Sequence, residues 1–121
     1  MINRTVENDS LILEENGKEL LKIHEKIESG EAALVLEGNI STSVSHDFED
    51  ELTSVATICN RINLDFHKID GISSAGMDVL LSIQKLMDQR EGTQLKLKGL
   101  QKGVYKSFEE YGFLELFEIE E

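Results

Sequence analysis

Proline is absent from this chain, cysteine occurs once, and lysine and arginine together number 12 against 24 acidic residues. Each shortage removes a class of explanation. The single cysteine, Cys59, cannot form an internal disulfide, and its place in a helical apolar pattern marks a structural residue rather than a reactive thiolate. A formal charge of −12 repels nucleic-acid phosphates and anionic lipid headgroups, so direct binding to DNA, RNA or a bilayer is disfavoured. No apolar run approaches the length of a membrane span, and Met1 to Asp9 lack the apolar segment of a signal peptide. These absences predict a cytoplasmic protein with no direct membrane insertion. Without proline, internal repeats or low-complexity runs there is no linker, and 121 residues at 40% apolar composition read as one domain with its own core.

Motifs for catalysis are also missing. His24, His46 and His67 are dispersed, and none forms a metal or nucleophile pattern with Cys59, Ser73 or Ser74. His46 lies beside Asp47, Glu49 and Asp50, which point in several directions from a helix and read as a solvated face rather than a metal site. Gly71 and Gly76 bracket two serines without a lysine at phosphate-loop spacing. The expectation is a protein that is not an enzyme and has no cofactor or metal of its own.

What is present is an order of strands and helices. Residues 1–10 are polar and without period, and read as a flexible N-terminal arm preceding a domain over 11–121. Leu11-Ile12-Leu13 leads to Asn16-Gly17, which suits a two-residue hairpin turn because both residues tolerate positive φ. Glu19 to Ile27 fits a strand with Leu21, Ile23 and Ile27 on one face, or a helix with Leu20, Ile23 and Ile27 in line. Gly17 before it and Ser29-Gly30 after it favour the strand. Ala32 to Leu36 is a short continuous apolar run, as expected of a central strand covered on both faces.

Gly38 to Ser43 then forms a loop in which Ser41, Thr42 and Ser43 are candidate caps for a helix carrying Val44, Phe48, Leu52, Val55, Ala56 and Cys59 at helical spacing. A second helix presents Met77, Leu80, Leu81 and Met87 with Val79, Ile83 and Leu86, and Gly92 ends it. Leu95 and Leu97 alternate with Lys96 and Lys98 in another strand. Val104, Phe108 and Tyr111 share a helical stripe that Gly112 is placed to cap. The segment from Phe113 to Ile119 either packs over the sheet or adds a last short strand.

The chain is organised around Ile62 to Met87. Ile62, Leu64 and Phe66 alternate with Asn63, Asp65 and His67, and after Ser73-Ser74-Ala75-Gly76 the apolar period changes from 2 to 3.6. A strand therefore feeds a helix whose first turn carries two hydroxyls, where backbone N–H groups lack partners and negative charge is favoured. Alternation of strands and helices predicts a mixed sheet with parallel central pairs and helices mainly on one face. The Gly38–Ser43 loop and the Ile69–Gly76 turn then share the carboxyl edge, where ligands and partners meet such sheets.

Leu64-Asp65-Phe66 followed by Ile72-Ser73-Ser74-Ala75-Gly76-Met77 resembles the STAS domain, the fold of bacterial anti-sigma-factor antagonists that also occurs in sulfate transporters. Val35-Leu36-Glu37-Gly38-Asn39-Ile40-Ser41 is similar to the family's Gly-Glu-Leu-Asp loop, and Leu95 to Leu97 with Tyr111 to Phe117 resemble its closing strand and helix. The resemblance implies an α/β fold, a single STAS-like domain with a mixed central sheet of four to five strands. It implies phosphorylation at Ser74, the serine two residues before the glycine. It also implies partner contacts through Asn39, Ser41, Thr42, Ser73, Ser74, Gly76, Met77 and Asp78. The partners so implied are an anti-sigma factor or related serine kinase and a serine/threonine phosphatase. The alternative is a STAS subunit of a transporter-associated complex or signalling scaffold in which Ser74 is not phosphorylated. Ser73 stands where many phosphorylated members carry Asp, and Ser41 where the first loop often ends in Asp.

Overall fold

Asn16 and Gly17 take φ of 54° and 77°, the geometry of a tight hairpin turn, and fold strand β2 (Ser10–Glu15) back on β3 (Lys18–Glu28). The computed structural model describes residues 1–120. A similar two-residue turn at Asn8-Asp9, with Asn8 at φ 55°, pairs β1 (Asn3–Glu7) with β2. The expected N-terminal arm is thus an edge strand. It escaped the sequence reading because all five of its residues are exposed, so no apolar alternation marks it.

Among the described residues seven strands lie side by side in chain order, two or three more than expected. The additions are the edges: β1, and β7 (Glu118–Glu120), which pairs parallel with β6 (Gln94–Lys98). From β1 to β4 (Glu31–Ile40) the pairing is antiparallel. From β4 through β5 (Arg61–Ile72) and β6 to β7 it is parallel. The change of direction follows from connection length: short turns join the first four strands, whereas helices α1 (Ser45–Ile58), α2 (Ser74–Asp88) and α3 (Lys102–Glu110) carry the chain back between the others.

One core cluster lies between the sheet and the helices. Alternate strand residues face it, among them Ile23, Leu34, Leu36, Leu64, Phe66 and Leu97, while Phe48 and Leu52 of α1, Leu80 and Ile83 of α2, and Val104 and Phe108 of α3 cover them. Strand β4 is central but is covered on one face only; Ala33 is exposed and Val35 half-buried, because all three helices pack against the opposite side. The apolar run at 32–36 therefore overstated its burial.

The core phase of β5 moves from Phe66 to Ile69, because the register against β4 slips between the pairs Val35–Asp65 and Glu37–Lys68. An extra residue on one strand is a β-bulge. Asp65 ties this bulge: its carboxylate accepts from the His67 backbone N–H at 3.0 Å and meets the ring Nδ1 at 2.7 Å. Burial raises the Asp65 carboxyl, but these bonds and the charges of His67 and Lys98 outweigh it and hold it below the ordinary range.

Two helix stripes are narrower than expected. Leu86 is 37% exposed and Tyr111 47% exposed, both lying where the helix surface turns away from the sheet. Gly112, at φ 72°, closes α3 as expected: its N–H donates to Glu109 O at 3.0 Å and that of Phe113 to Phe108 O at 2.8 Å. The following segment returns Phe117 to the core, with its ring 5.8 Å from that of Phe108 in an edge-on arrangement.

Candidate functional site

Strands β4 and β5 end together. Asn39 pairs with Gly71 and Ile40 with Ile72, and the Ser73 N–H donates to Ile40 O at 2.8 Å. The two loops singled out in the sequence therefore meet at the carboxyl edge of the parallel strands. Asn39 and Asp70 stitch this edge, Nδ2 donating to Oδ1 at 3.0 Å.

Ser73 has the extended backbone of a helix cap, φ −82° and ψ 167°, and its Oγ accepts from the Gly76 N–H at 3.1 Å. Its hydroxyl is thereby engaged. Ser74, the next residue, is the first of α2 and is exposed. Serine is among the best capping residues, so Ser73 fills the capping position with its own hydroxyl. The two hydroxyls divide into one that builds the turn and one presented to solvent.

Gly76 explains how closely α2 sits on the strand ends. A Cβ there would lie 2.7 Å from Ile40 Cγ2 and 2.9 Å from Ile72 Cγ1. Gly76 and Met77 are buried, Met77 at 1% exposure, so neither offers the partner-facing surface expected of it. The helical period directs Met77 inward with Leu80, leaving Ser74 and Asp78, one turn apart, outward. Asp78, Asn39 and Thr42 are exposed and Ser41 is half-buried.

The expected caps at Ser41, Thr42 and Ser43 do not cap α1, whose N-cap is Val44 with no side-chain bond. Instead Thr42–Val44 form a single 3-10 turn, with Ser41 Oγ and Ser43 Oγ 3.0 Å apart. The turn satisfies itself locally through Val44 N–H to Ser41 O and Ser45 Oγ to Thr42 O.

Between α1 and α2, next to Ser74, runs a shallow groove of about 220 Å³ lined by Ser45, His46, Glu49, Ala75, Asp78 and Val79, among others. Its borders are anionic. No lysine or arginine occurs between Lys26 and Arg61 or between Lys68 and Lys85. Asp70 and Glu49 were not singled out as site residues because cross-strand register and helix packing bring them there, and neither leaves a local sequence signal. Among the described residues no group of three His, Cys, Asp or Glu side chains is arranged to hold a metal ion, and no helix is long and apolar enough to cross a membrane.

Comparison with known proteins agrees with this geometry. The STAS domain family profile matches residues 21–121. BtrV of Bordetella bronchiseptica, which carries the name of an anti-sigma factor antagonist, is 35% identical over 85 residues, covering 69% of this chain and 72% of BtrV. The fold matches SpoIIAA, an anti-sigma factor antagonist, in its unphosphorylated form with a TM-score of 0.70 at 13% identity, over 82% of this chain and 88% of that one. The phosphorylated form of SpoIIAA from Bacillus matches at 0.64 and 11% identity, over 82% and 91%. A sulfate transporter family protein of Wolinella succinogenes matches at 0.63 and 22% identity, over 75% and 74%. The structural likenesses establish the fold, and the profile match over most of the length establishes descent: this chain belongs to the STAS domain family, with sequence kinship to its anti-sigma-factor-antagonist type.

Proposed function

We propose that this protein is a non-enzymatic binding module that antagonises a kinase-type anti-sigma factor, docking it around Ser74 and releasing it when Ser74 is phosphorylated. The observation that carries the reading is the exposure of Ser74 at the first position of α2, beside a neighbour whose hydroxyl is already bonded. Modification therefore leaves the cap intact. A phosphate adds about −1.5 to −2 charges, and a helix N-terminus offers roughly 0.3–1 kcal/mol of favourable interaction for exposed negative charge. The fold tolerates the modification. A partner seated on the hydroxyl must instead desolvate a dianion, at a cost of several kcal/mol, and about 1.4 kcal/mol is tenfold in affinity. Release needs no conformational change, and a serine/threonine phosphatase resets the switch.

The test is incubation with ATP and each co-purifying serine-kinase-type anti-sigma factor, with phosphate mapped by mass spectrometry. Phosphate at Ser74, lost in Ser74→Ala, with at least tenfold weaker binding by Ser74→Asp, is the expected result. Unchanged tight binding by Ser74→Asp would refute it. The fold likeness to a sulfate transporter family protein supports a second reading, a subunit of a membrane transport assembly. Co-purification with a permease and no labelling of Ser74 would establish that reading instead.

A further inference from the structure

The N-terminal hairpin is fastened in an unusual way. No side chain of β1 is buried, so it is held by strand pairing with β2, by the partly buried Ile2 and the Met1–Glu15 ion pair just before it, and by one long side chain of its own. Arg4 reaches over to α1, its Nη2 donating to Glu51 Oε1 at 2.8 Å and its Nη1 lying 3.7 Å from Asp47 Oδ1. Beneath it, Glu25 points from β3 toward the core side of the sheet. As a carboxylate, Glu25 has a buried Oε2 with no donor in reach; as a carboxylic acid it donates to Glu51. The turn covers this pair: Asp9 O accepts from the Glu25 N–H at 2.8 Å, and Val6, Asn8, Asp9 and Leu11 close a cavity of about 330 Å³ over Glu25 and Glu51. The charged and titratable groups around Glu25 are thus Arg4 from β1, Asp9 from the turn, and Asp47, Glu51 and the adjoining Cys59 from α1 and its end. One guanidinium lies among four carboxyls, those of Asp9, Glu25, Asp47 and Glu51.

We propose that Glu25 is a proton-operated latch for the N-terminal hairpin: protonated, it bridges to Glu51 and leaves Arg4 to strap β1 onto α1; ionised, it sets an uncompensated charge beneath the strap and loosens it. The proton leaves to solvent, and no bond other than O–H is made or broken. Burial, the hydrogen bond to Glu51 and the charge of Glu51 push the Glu25 carboxyl from 4.5 up to about 8, against the opposing pull of Arg4. The open hairpin wets Glu25 and returns it toward its ordinary value. Between those limits the closed form holds a proton that the open form has lost, so opening increases as pH rises through neutrality and levels off above about 8. Complete recovery of the ordinary value would make opening about tenfold easier per pH unit. Glu25 is only half-buried in the closed form, so the recovery is partial and the effect falls to about tenfold over two units.

Amide hydrogen exchange of the full chain at pH 6, 7 and 8, divided by intrinsic rates, reads the latch directly. Protection of residues 3–7 in β1 should fall about tenfold from pH 6 to 8, while Ile62 to Phe66 in β5 hold constant. Glu25→Gln should hold the hairpin protected across the range, and Arg4→Met should leave it weakly protected at every pH. Should Glu25→Gln not fold by circular dichroism, Glu25→Met, which likewise carries no charge and leaves the Arg4–Glu51 contact intact, should give the same pH-independent protection. A flat profile in the unmodified protein, an undiminished fall in Glu25→Gln, or an equal loss in β5 would overturn the proposal.

Discussion

Replacing Gly76 with alanine sets two opposed effects against each other, and the structure decides their sign. In a helix, glycine to alanine ordinarily stabilises by up to about 1 kcal/mol, through reduced backbone entropy of the unfolded chain. At Gly76 the new methyl would lie 2.7 Å from Ile40 Cγ2, 2.9 Å from Ile72 Cγ1 and 3.0 Å from the backbone oxygen of Ile40. Carbon atoms pack best at about 3.5–4.0 Å, so the helix start must lift from the strand ends or both isoleucines must leave their rotamers. Overpacking of this kind costs about 1–3 kcal/mol. The clash wins, and Gly76→Ala should lose about 1–2 kcal/mol on balance.

Gly103 in α3 is the internal control, since a Cβ there meets nothing within 4 Å. Gly103→Ala should gain about 0.5 kcal/mol, the modest value reflecting its place in the first helical turn. Urea denaturation of both variants at neutral pH, with unchanged slope, measures the contrast. A Gly76→Ala protein as stable as the parent would refute the packing argument. If Gly76→Ala stabilised the protein as Gly103→Ala is expected to, the close seating of α2 on the strand ends would be refuted.

Ser73→Ala removes the bond to the Gly76 N–H and should cost about 1 kcal/mol of stability, whereas Ser74→Ala, at an exposed first position, should change stability by less than about 0.5 kcal/mol; paired thermal melts separate the capping serine from the presented one. Asp65 supplies an acid-side prediction. Its folded carboxyl is held below its ordinary 3.8, so the folded state binds that proton less readily than the unfolded chain. The resulting stability is present above 3.8 and is lost as pH falls through the depressed folded value. Asp65→Asn should therefore flatten the loss of stability below pH 3.8 seen by urea midpoint, and an unchanged acid slope would count against the role of the bulge carboxylate.

Local pattern carried much of this fold. The Asn16-Gly17 turn, the stripe of α1, the change of period after Ser73-Ser74 and the glycine that closes α3 are short-range properties, set by φ preferences and by the spacing of apolar residues, and each is found where those rules place it. Edge strand β1 was not legible, because an edge held by backbone pairing shows no buried alternation, and β7 was legible only as one of two alternatives for the segment from Phe113 to Ile119. The same limit explains the loop at Ser41 to Ser43, whose composition promised a helix cap but whose 3-10 turn satisfies its own groups.

The site divides along the same line. The order of residues by itself determined that a strand meets a helix at Ser73-Ser74 and that the meeting point resembles a STAS switch, since both are read within some dozen neighbouring positions. The capping of α2 by Ser73 follows from the same local rules; only the tertiary structure decided that Ser74 faces solvent and that Met77 does not. It alone brought Arg4, Glu25 and Glu51 together from three separate elements. Contacts between residues distant in the chain depend on strand register and helix seating, which are set by how the whole core packs and leave no mark on any short stretch of sequence.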